Sequence, residues 1–354
     1  MSPLPGADAG VLTRRHSRRG FLGLAGAGGA VLLAGCGSGS GGGGGSGKEV
    51  TKLRYQGSVG SVTLPELAAD LGYLGSVTLD WVGNTISGPQ DIQSAWTGQT
   101  EFGGAFNGAV AKLHAAGAPI TAVISYYGVD QYAYDGFYVL QDSPIAGAAD
   151  LHGKKIGMNT LGAHLEAVLD IYLNRNGVTG DAVKKVEPIV VPPITTELSL
   201  RQRQIDVGTL SGILRDKALA TGGLKPLFTD YDLLGAFSAG TYVFRNEFIK
   251  KNPNTVRAFT SGVAKAIEWA RTTPQPEVVE RFTKIIKGRG RNEDTAALKY
   301  FKSYGIAGTG GVVAEKEFAM WITWLEQQGQ IPKGKVTPSA VYTNQYNSYA
   351  TGGA

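Results

Sequence analysis

Cysteine is nearly missing from this chain: Cys36 is the only one in 354 residues, so no intrachain disulfide can form and no cysteine cluster exists for metal or covalent chemistry. Histidine is scarce too. His16, His114, His152 and His164 show no metal-ligand spacing. The patterns G-x-x-x-x-G-K-[ST], G-x-S-x-G and H-E-x-x-H are all absent, which argues against a nucleoside-triphosphate loop, a serine-hydrolase elbow and a zinc protease. Basic blocks are absent past residue 50. The net charge is +5, but Arg14, Arg15, Arg18, Arg19 and Asp8 leave 30 of 34 basic and 28 of 29 acidic residues to the rest, a net of +2. The pI therefore gives no reason to expect nucleic acid. Gly288-Arg289-Gly290-Arg291 reads as a solvated basic loop. No internal repeat of the kind that builds adhesive arrays is visible.

What is present begins with an address. Ser17-Arg18-Arg19-Gly20-Phe21-Leu22 resembles a twin-arginine export signal. The uncharged stretch from Gly20 to Gly35 has 16 residues, short of the ~20 that span a bilayer. It ends in Leu33-Ala34-Gly35-Cys36, which resembles a bacterial lipobox and implies cleavage before Cys36 and lipid on its thiol. The G-x-x-G-x-G run from Gly23 to Gly28 lies inside this signal and is no dinucleotide fingerprint. Residues 37–47 are Gly and Ser only, a flexible tether with a reach of roughly 18 Å. Segments 1–35 and 36–49 are thus expected to be a signal peptide and a lipidated tether.

From Lys48 onward, apolar strands and amphipathic helices alternate, and 42% apolar content suffices for two domains with real cores. Strands are expected at 52–55, 77–82, 101–103, 120–127, 136–140, 156–158, 186–191, 206–209, 226–229 and 241–244. Such alternation indicates α/β architecture with mostly parallel sheets flanked by helices. Asn252-Pro253 opens a helix whose buried face is Val256, Phe259, Val263 and Ile267. Further helices are expected near 276–287, 293–302 and 315–328, with Trp321 and Trp324 in the core.

The unit from Lys154 to Leu173 is the organising one. Ile156–Met158 is a strand, Asn159-Thr160-Leu161-Gly162 is turn chemistry, and Leu165, Val168, Leu169 and Tyr172 recur at helical spacing. Backbone N–H groups at such a helix start hold an anionic or strongly polar ligand, although most strand–turn–helix units bind nothing. His164 in the first turn is either packed structurally or a ring N–H donor to ligand. An echo adds to this: Gln99-Thr100-Glu101-Phe102-Gly103 and Gln204-Ile205-Asp206-Val207-Gly208, 105 residues apart, each close a helix and open a strand, which suggests two similar lobes aiming helix starts at one cleft.

Four segments now carry a resemblance: Pro65-Glu66-Leu67-Ala68 before Leu71-Gly72-Tyr73; Gly98 to Gly103; Ala115-Ala116-Gly117-Ala118-Pro119-Ile120; and Asp150 to Gly157. In this order they resemble the solute-binding proteins of ATP-binding-cassette importers for sulfonates, taurine and nitrate, the group related to thiamine-precursor-binding proteins. The resemblance implies a two-lobed periplasmic-binding-protein fold of type II with two hinge crossovers. Lobe one would comprise 50–140 and 236–354, and lobe two 141–235. It implies ligand loops at Gln56, Gly57 and Ser58, at Asn84 and Thr85, at Phe106 and Asn107, and at Thr160, Gly162, Ala163 and His164. Tyr126, Tyr127 and Ser211 join the candidates, the aromatics being alternatively core. After Gly208 the chain departs from the sulfonate binders: Thr209-Leu210-Ser211-Gly212 stands where many carry an aromatic and acidic stretch.

The function implied is a lipid-anchored, monomeric, extracytoplasmic binder that hands a small sulfonate-like anion to a membrane permease and needs no cofactor or metal. The alternatives are a neutral or aromatic ligand such as a pyrimidine precursor, and a lipid-anchored enzyme. Related pyrimidine-synthesising proteins carry a cysteine-rich cluster that a single cysteine cannot supply.

Overall fold

The computed structural model describes residues 48–350; the expected signal, Cys36 and most of the Gly/Ser tether lie outside the described residues. In chain order the elements are β1 (Lys52–Gly57), α1 (Leu64–Asp70), β2 (Thr78–Asn84), α2 (Gly88–Thr97), β3 (Phe102–Phe106), α3 (Asn107–Ala115), β4 (Ile120–Val129) and β5 (Asp135–Leu140). There follow β6 (Lys155–Met158), α4 (His164–Arg175), β7 (Glu187–Val190), α5 (Pro193–Arg201), β8 (Val207–Ser211), α6 (Gly212–Thr221), β9 (Leu224–Thr229), α7 (Asp230–Leu234) and β10 (Phe237–Arg245). Helices α8 (Asn246–Lys251), α9 (Pro253–Thr272), α10 (Gln275–Gly288) and α11 (Lys316–Gln327) dominate the remainder.

Local chemistry explains the boundaries. Thr63 precedes α1 and Glu66 reaches back to its N–H (3.0 Å) and hydroxyl (2.8 Å), while Pro65 sits in the first turn where no N–H is needed. Helix α2 stops at Gly98, whose φ of 80° is the left-handed conformation that closes a helix. The helix expected over 293–302 is only a short 3₁₀ turn, Ala296–Tyr300. Asn292 takes φ 53°, breaking the approach to it, and the Asp294 carboxylate takes the Ala296 N–H at 2.8 Å.

One sheet runs β7-β6-β8-β5-β9. The other comprises β3-β10-β4 with the pair β1-β2 alongside, joined where the Glu101 N–H donates to the Arg54 carbonyl at 3.1 Å. Read edge to edge, both arrays follow one order: second strand, first, third, inserted, fourth. The inserted strands are β10 in the first array and β5 in the second. Each is delivered by chain arriving from the other array, through links at 130–134 and 235–236.

This corrects the expectation of mostly parallel sheets. β1/β2, β6/β7 and β6/β8 pair in parallel, but all four pairings of β5 and β10 are antiparallel. Strand–helix alternation predicts direction only where a helix crossover returns the chain to the same sheet. β5 follows β4 through five residues, so no such crossover sets its direction.

The core follows from apolar spacing. Val256, Phe259, Val263 and Ile267 on α9 are buried against Phe102 and Phe244 of the first array. Trp321 and Trp324 on α11 are buried, Trp321 beside Phe106 and Phe237. Among the described residues no helix is long and apolar enough to cross a membrane.

Candidate functional site

The β6–α4 turn, the organising unit of the sequence, folds as strand, turn and helix start. Gly162 adopts φ 72°, which an L side chain resists. Its N–H is not free for a ligand, because it donates to the carboxylate of Glu166 in the first turn of α4. An intrinsic carboxylate thus occupies the glycine N–H just ahead of this helix start. Carboxylates take other glycine N–H groups as well: Glu293 that of Gly60 at 2.6 Å, and Asp91 that of Gly104 at 2.7 Å.

Beyond Gly162, Ala163 and His164 enter a cavity of about 310 Å³ between the two arrays. The first array contributes Gly88 and Pro89 from the start of α2, Phe106 from the end of β3, and Tyr126 and Tyr127 from β4. The second contributes Asp135, Asn159, Thr160, Ala163, His164, Thr196, Thr209 and Ser211. The tyrosines need bare backbone beneath them. A Cβ on Gly104 would lie 2.8 Å from the Tyr126 ring, and one on Gly240 2.0 Å from that of Tyr127. Tyr126 stacks on Tyr242 at 4.2 Å and meets Tyr127 edge-on at 4.9 Å, giving the cavity an aromatic wall.

His164 forms the floor. Its ring stacks on Phe106 (5.3 Å, 17°) and meets Trp321 edge-on at 5.9 Å. Nδ1 lies 3.4 Å from an Asp135 oxygen and Nε2 3.4 Å from an Asp230 oxygen. Asp230 has no exposed surface, and its other oxygen accepts the Asp135 N–H at 2.9 Å. Burial pushes the His164 pKa down, against the pull of Asp135. Burial pushes Asp230 well up, reinforced by the charge of Asp135. These directions favour a neutral imidazole beside a protonated Asp230. The three residues also bring a nitrogen and two oxygens within 4.8 Å of one another. The two ring nitrogens, however, face different carboxylates, and one ion can take only one of them. Among the described residues, His164 Nε2 and Asp230 Oδ2 are buried without a hydrogen-bond partner, and no Lys or Arg lines the cavity.

Of the residues expected from sequence, the cavity brings together Phe106, Tyr126, Thr160, Ala163, His164 and Ser211, with Tyr127. Ser58 lines a neighbouring cavity. Gln56 and Gly57 lie at the end of β1, outside both cavities. Asn84 accepts the Trp81 indole N–H at 3.1 Å, and the Thr85 hydroxyl donates to the Ser87 carbonyl at 2.9 Å. Asn107 is wholly buried, its amide donating to the Ser238 (3.3 Å) and Glu317 (3.2 Å) carbonyls, so it ties α3 to β10 and α11. Sequence reasoning missed Asp135 and Asp230. Their one signal is position: Asp135 opens the strand after the 130–134 link, and Asp230 opens α7, the helix that runs to the link at 235–236.

The comparisons can now be set beside this geometry. A family model described as NMT1/THI5 like matches residues 67–277, more than half of the chain. The chain belongs to the NMT1/THI5-like family. Among solved structures it resembles the periplasmic aliphatic sulphonate binding protein SsuA from Escherichia coli, with TM-score 0.64 and 19% identity over 83% of this chain and 92% of that one. It resembles the periplasmic nitrate-binding protein NrtA from Synechocystis PCC 6803, with TM-score 0.65 and 14% identity over 84% and 87%. The desulfurization enzyme DSZB is similar as well, with TM-score 0.57 and 16% identity over 86% and 99%. No curated protein matches the sequence. At these identities the likeness is one of fold, and the NMT1/THI5-like fold serves proteins that bind and proteins that catalyse.

Proposed function

We propose that this NMT1/THI5-like chain is the extracytoplasmic solute-binding subunit of an ATP-binding-cassette importer, held to the cell membrane by lipid on Cys36 after twin-arginine export. In this reading residues 50–140 with 236–354 form one lobe, 141–235 the other, and the links at 130–134 and 235–236 are the hinge. Support comes from the family, from binding proteins among the similar structures, and from a cavity walled by both arrays. Ser211 and His164 both line the cavity, but among the described residues no hydrogen bond joins them as nucleophile and base, which favours binding over catalysis. Cys36→Ala tests the anchor. The variant should leave the membrane fraction, and retention there with unchanged mass would refute lipidation.

The ligand we propose is a small planar solute that donates N–H groups, neutral or cationic, of the kind an aminopyrimidine or an amidine represents. One observation carries this: among the described residues, the cavity wall holds the carboxylate of Asp135 and no Lys or Arg to offset it. The sulfonate-like anion implied by resemblance is less well served. A carboxylate ~5 Å from an anion opposes it by about 3 kcal/mol at an effective dielectric of ~20. A helix start returns about 0.3–1 kcal/mol, or ~2 when partly buried. At α4 the Gly162 N–H is already taken by Glu166. Calorimetry with 4-aminopyrimidine, benzamidine, methanesulfonate and nitrate tests the choice. The two N–H donors should bind, and Asp135→Asn should weaken benzamidine at least about tenfold. Binding of methanesulfonate but of neither N–H donor would overturn it.

A further inference from the structure

A second cavity of about 540 Å³ opens beside the first, between the loop following β1, the first turns of α6 and the segment 294–304. Tyr126, Tyr127, Ser211 and Leu214 face both spaces, so the two are chambers of one site rather than separate sites. Their chemistry differs. The first ends on Asp135 and His164. The second is walled by Val62, Leu64, Ile213, Phe282, Leu298 and Phe301. Three large apolar side chains at this second chamber stand exposed: Val59 (61%), Tyr132 (54%) and Ile194 (74%). Exposed apolar surface gathered at one opening marks a place where something apolar is received. The charged residues there are Asp216, Lys217, Asp294 and Lys302; Asp216 and Lys302 pair at 2.9 Å, and Lys217 and Asp294 are of opposite sign, so the wall carries no net charge to demand a charged guest.

We infer that the solute has two parts: an N–H-donating planar head in the first chamber and a hydrocarbon arm, aliphatic or aryl, in the second. The volumes suit this division. A space of about 310 Å³ takes a single substituted ring, at the small end of ligand pockets, whereas both chambers together match an elongated molecule. Tyr126 and Tyr127 line both chambers and stand where the head would give way to the arm. The inference rests on the proposed head-group reading for its orientation, and the experiment separates the two.

Benzamidine, 4-n-butylbenzamidine and 4-n-hexylbenzamidine are titrated calorimetrically into the full chain, and into Ile213→Gln and Ala297→Trp variants checked for folding by circular dichroism. Ile213 and Ala297 line only the second chamber. Affinity should rise about two- to fourfold per buried methylene, so that hexyl exceeds benzamidine by at least about tenfold. Either variant should collapse that ratio. Benzamidine binding with no gain along the series overturns the second chamber while leaving the head reading intact. A gain that both variants preserve places the arm elsewhere and overturns it too. Binding by the alkylated members alone, lost in the variants, supports the chamber and refutes the head reading. Silence from all three compounds at millimolar concentration overturns both.

Discussion

The two arrays solve one problem with unequal means. In each, an acidic residue before the third strand clips the first strand: the N–H of Glu101 donates to the Arg54 carbonyl while its carboxylate takes the Arg54 N–H at 2.6 Å. The N–H of Asp206 likewise donates to the Lys155 carbonyl, and its carboxylate takes the Lys155 N–H at 2.9 Å. The echo seen 105 residues apart is therefore one device used twice. Glu101 is buried and also holds the Arg54 guanidinium. Asp206 makes only the backbone contact. The first array is backed by α9 and a cluster of phenylalanines, the second by a stack of Phe137, Phe228 and Tyr172. Both leave apolar side chains exposed, Trp81 and Val82 on β2 and Val190 on β7. The difference therefore lies in the clip and in the larger core behind it, which make the first array the firmer frame.

The largest test of that contrast is Phe259→Ala in the first core, which should cost about 3–5 kcal/mol by urea unfolding. A loss below ~1 kcal/mol would mean the frame is not there. Next comes pH. Burial pushes Asp91, in the first array, up to about 7. Between about 3.9, its unfolded value, and 7 the folded protein binds the extra proton, so this contribution to stability falls as pH rises. His164, in the second array, is pushed the other way. Below about 6.5 the unfolded chain binds more protons there, so that contribution is lost on acidification. Asp91→Asn should therefore gain on wild type from pH 4 to 7, by up to about 4 kcal/mol. His164→Asn should lose its disadvantage as the pH falls from 6.5. Slopes of the same sign in the two variants would refute the assignment.

Third, Glu101→Ala should cost about 1.5–3 kcal/mol and Asp206→Ala about 0.5–1.5, measured by the same denaturation. The reverse order would show that the clips are not graded as their burial is. Smallest is Gly162→Ala. No atom lies within 4 Å of the added methyl, so only backbone strain of about 1–2 kcal/mol is expected, with ligand affinity unchanged. A loss of affinity would make the Gly162 N–H itself a ligand contact.

Much of this was legible in the sequence. Every strand expected past residue 48 exists, because each is a short apolar run closed by turn chemistry, and the echo announced a doubled architecture. What was hidden depends on chain crossing. Asp135 and Asp230 stand 95 positions apart with no shared motif, and they meet because the inserted strand β5 pairs with β9. The antiparallel inserted strands were hidden for the same reason. The sealing of the β6–α4 turn was nearer to view. Glu166 lies four residues past Gly162, yet an acidic residue in a first turn reads equally as ordinary helix chemistry.

The hydrogen bond from the Asp135 N–H to Asp230 continues the pairing of β5 with β9 and so stays within the second array. It fixes the cavity floor as a unit and leaves the join to the first array to other contacts. The Lys302–Asp216 ion pair at 2.9 Å is one of these, reaching from the segment after α10 to α6 beside the second cavity. Its lysine is half open to water, so dissolved salt screens it, whereas the buried floor is out of reach of salt. Ionic strength therefore acts on the join and leaves the floor untouched.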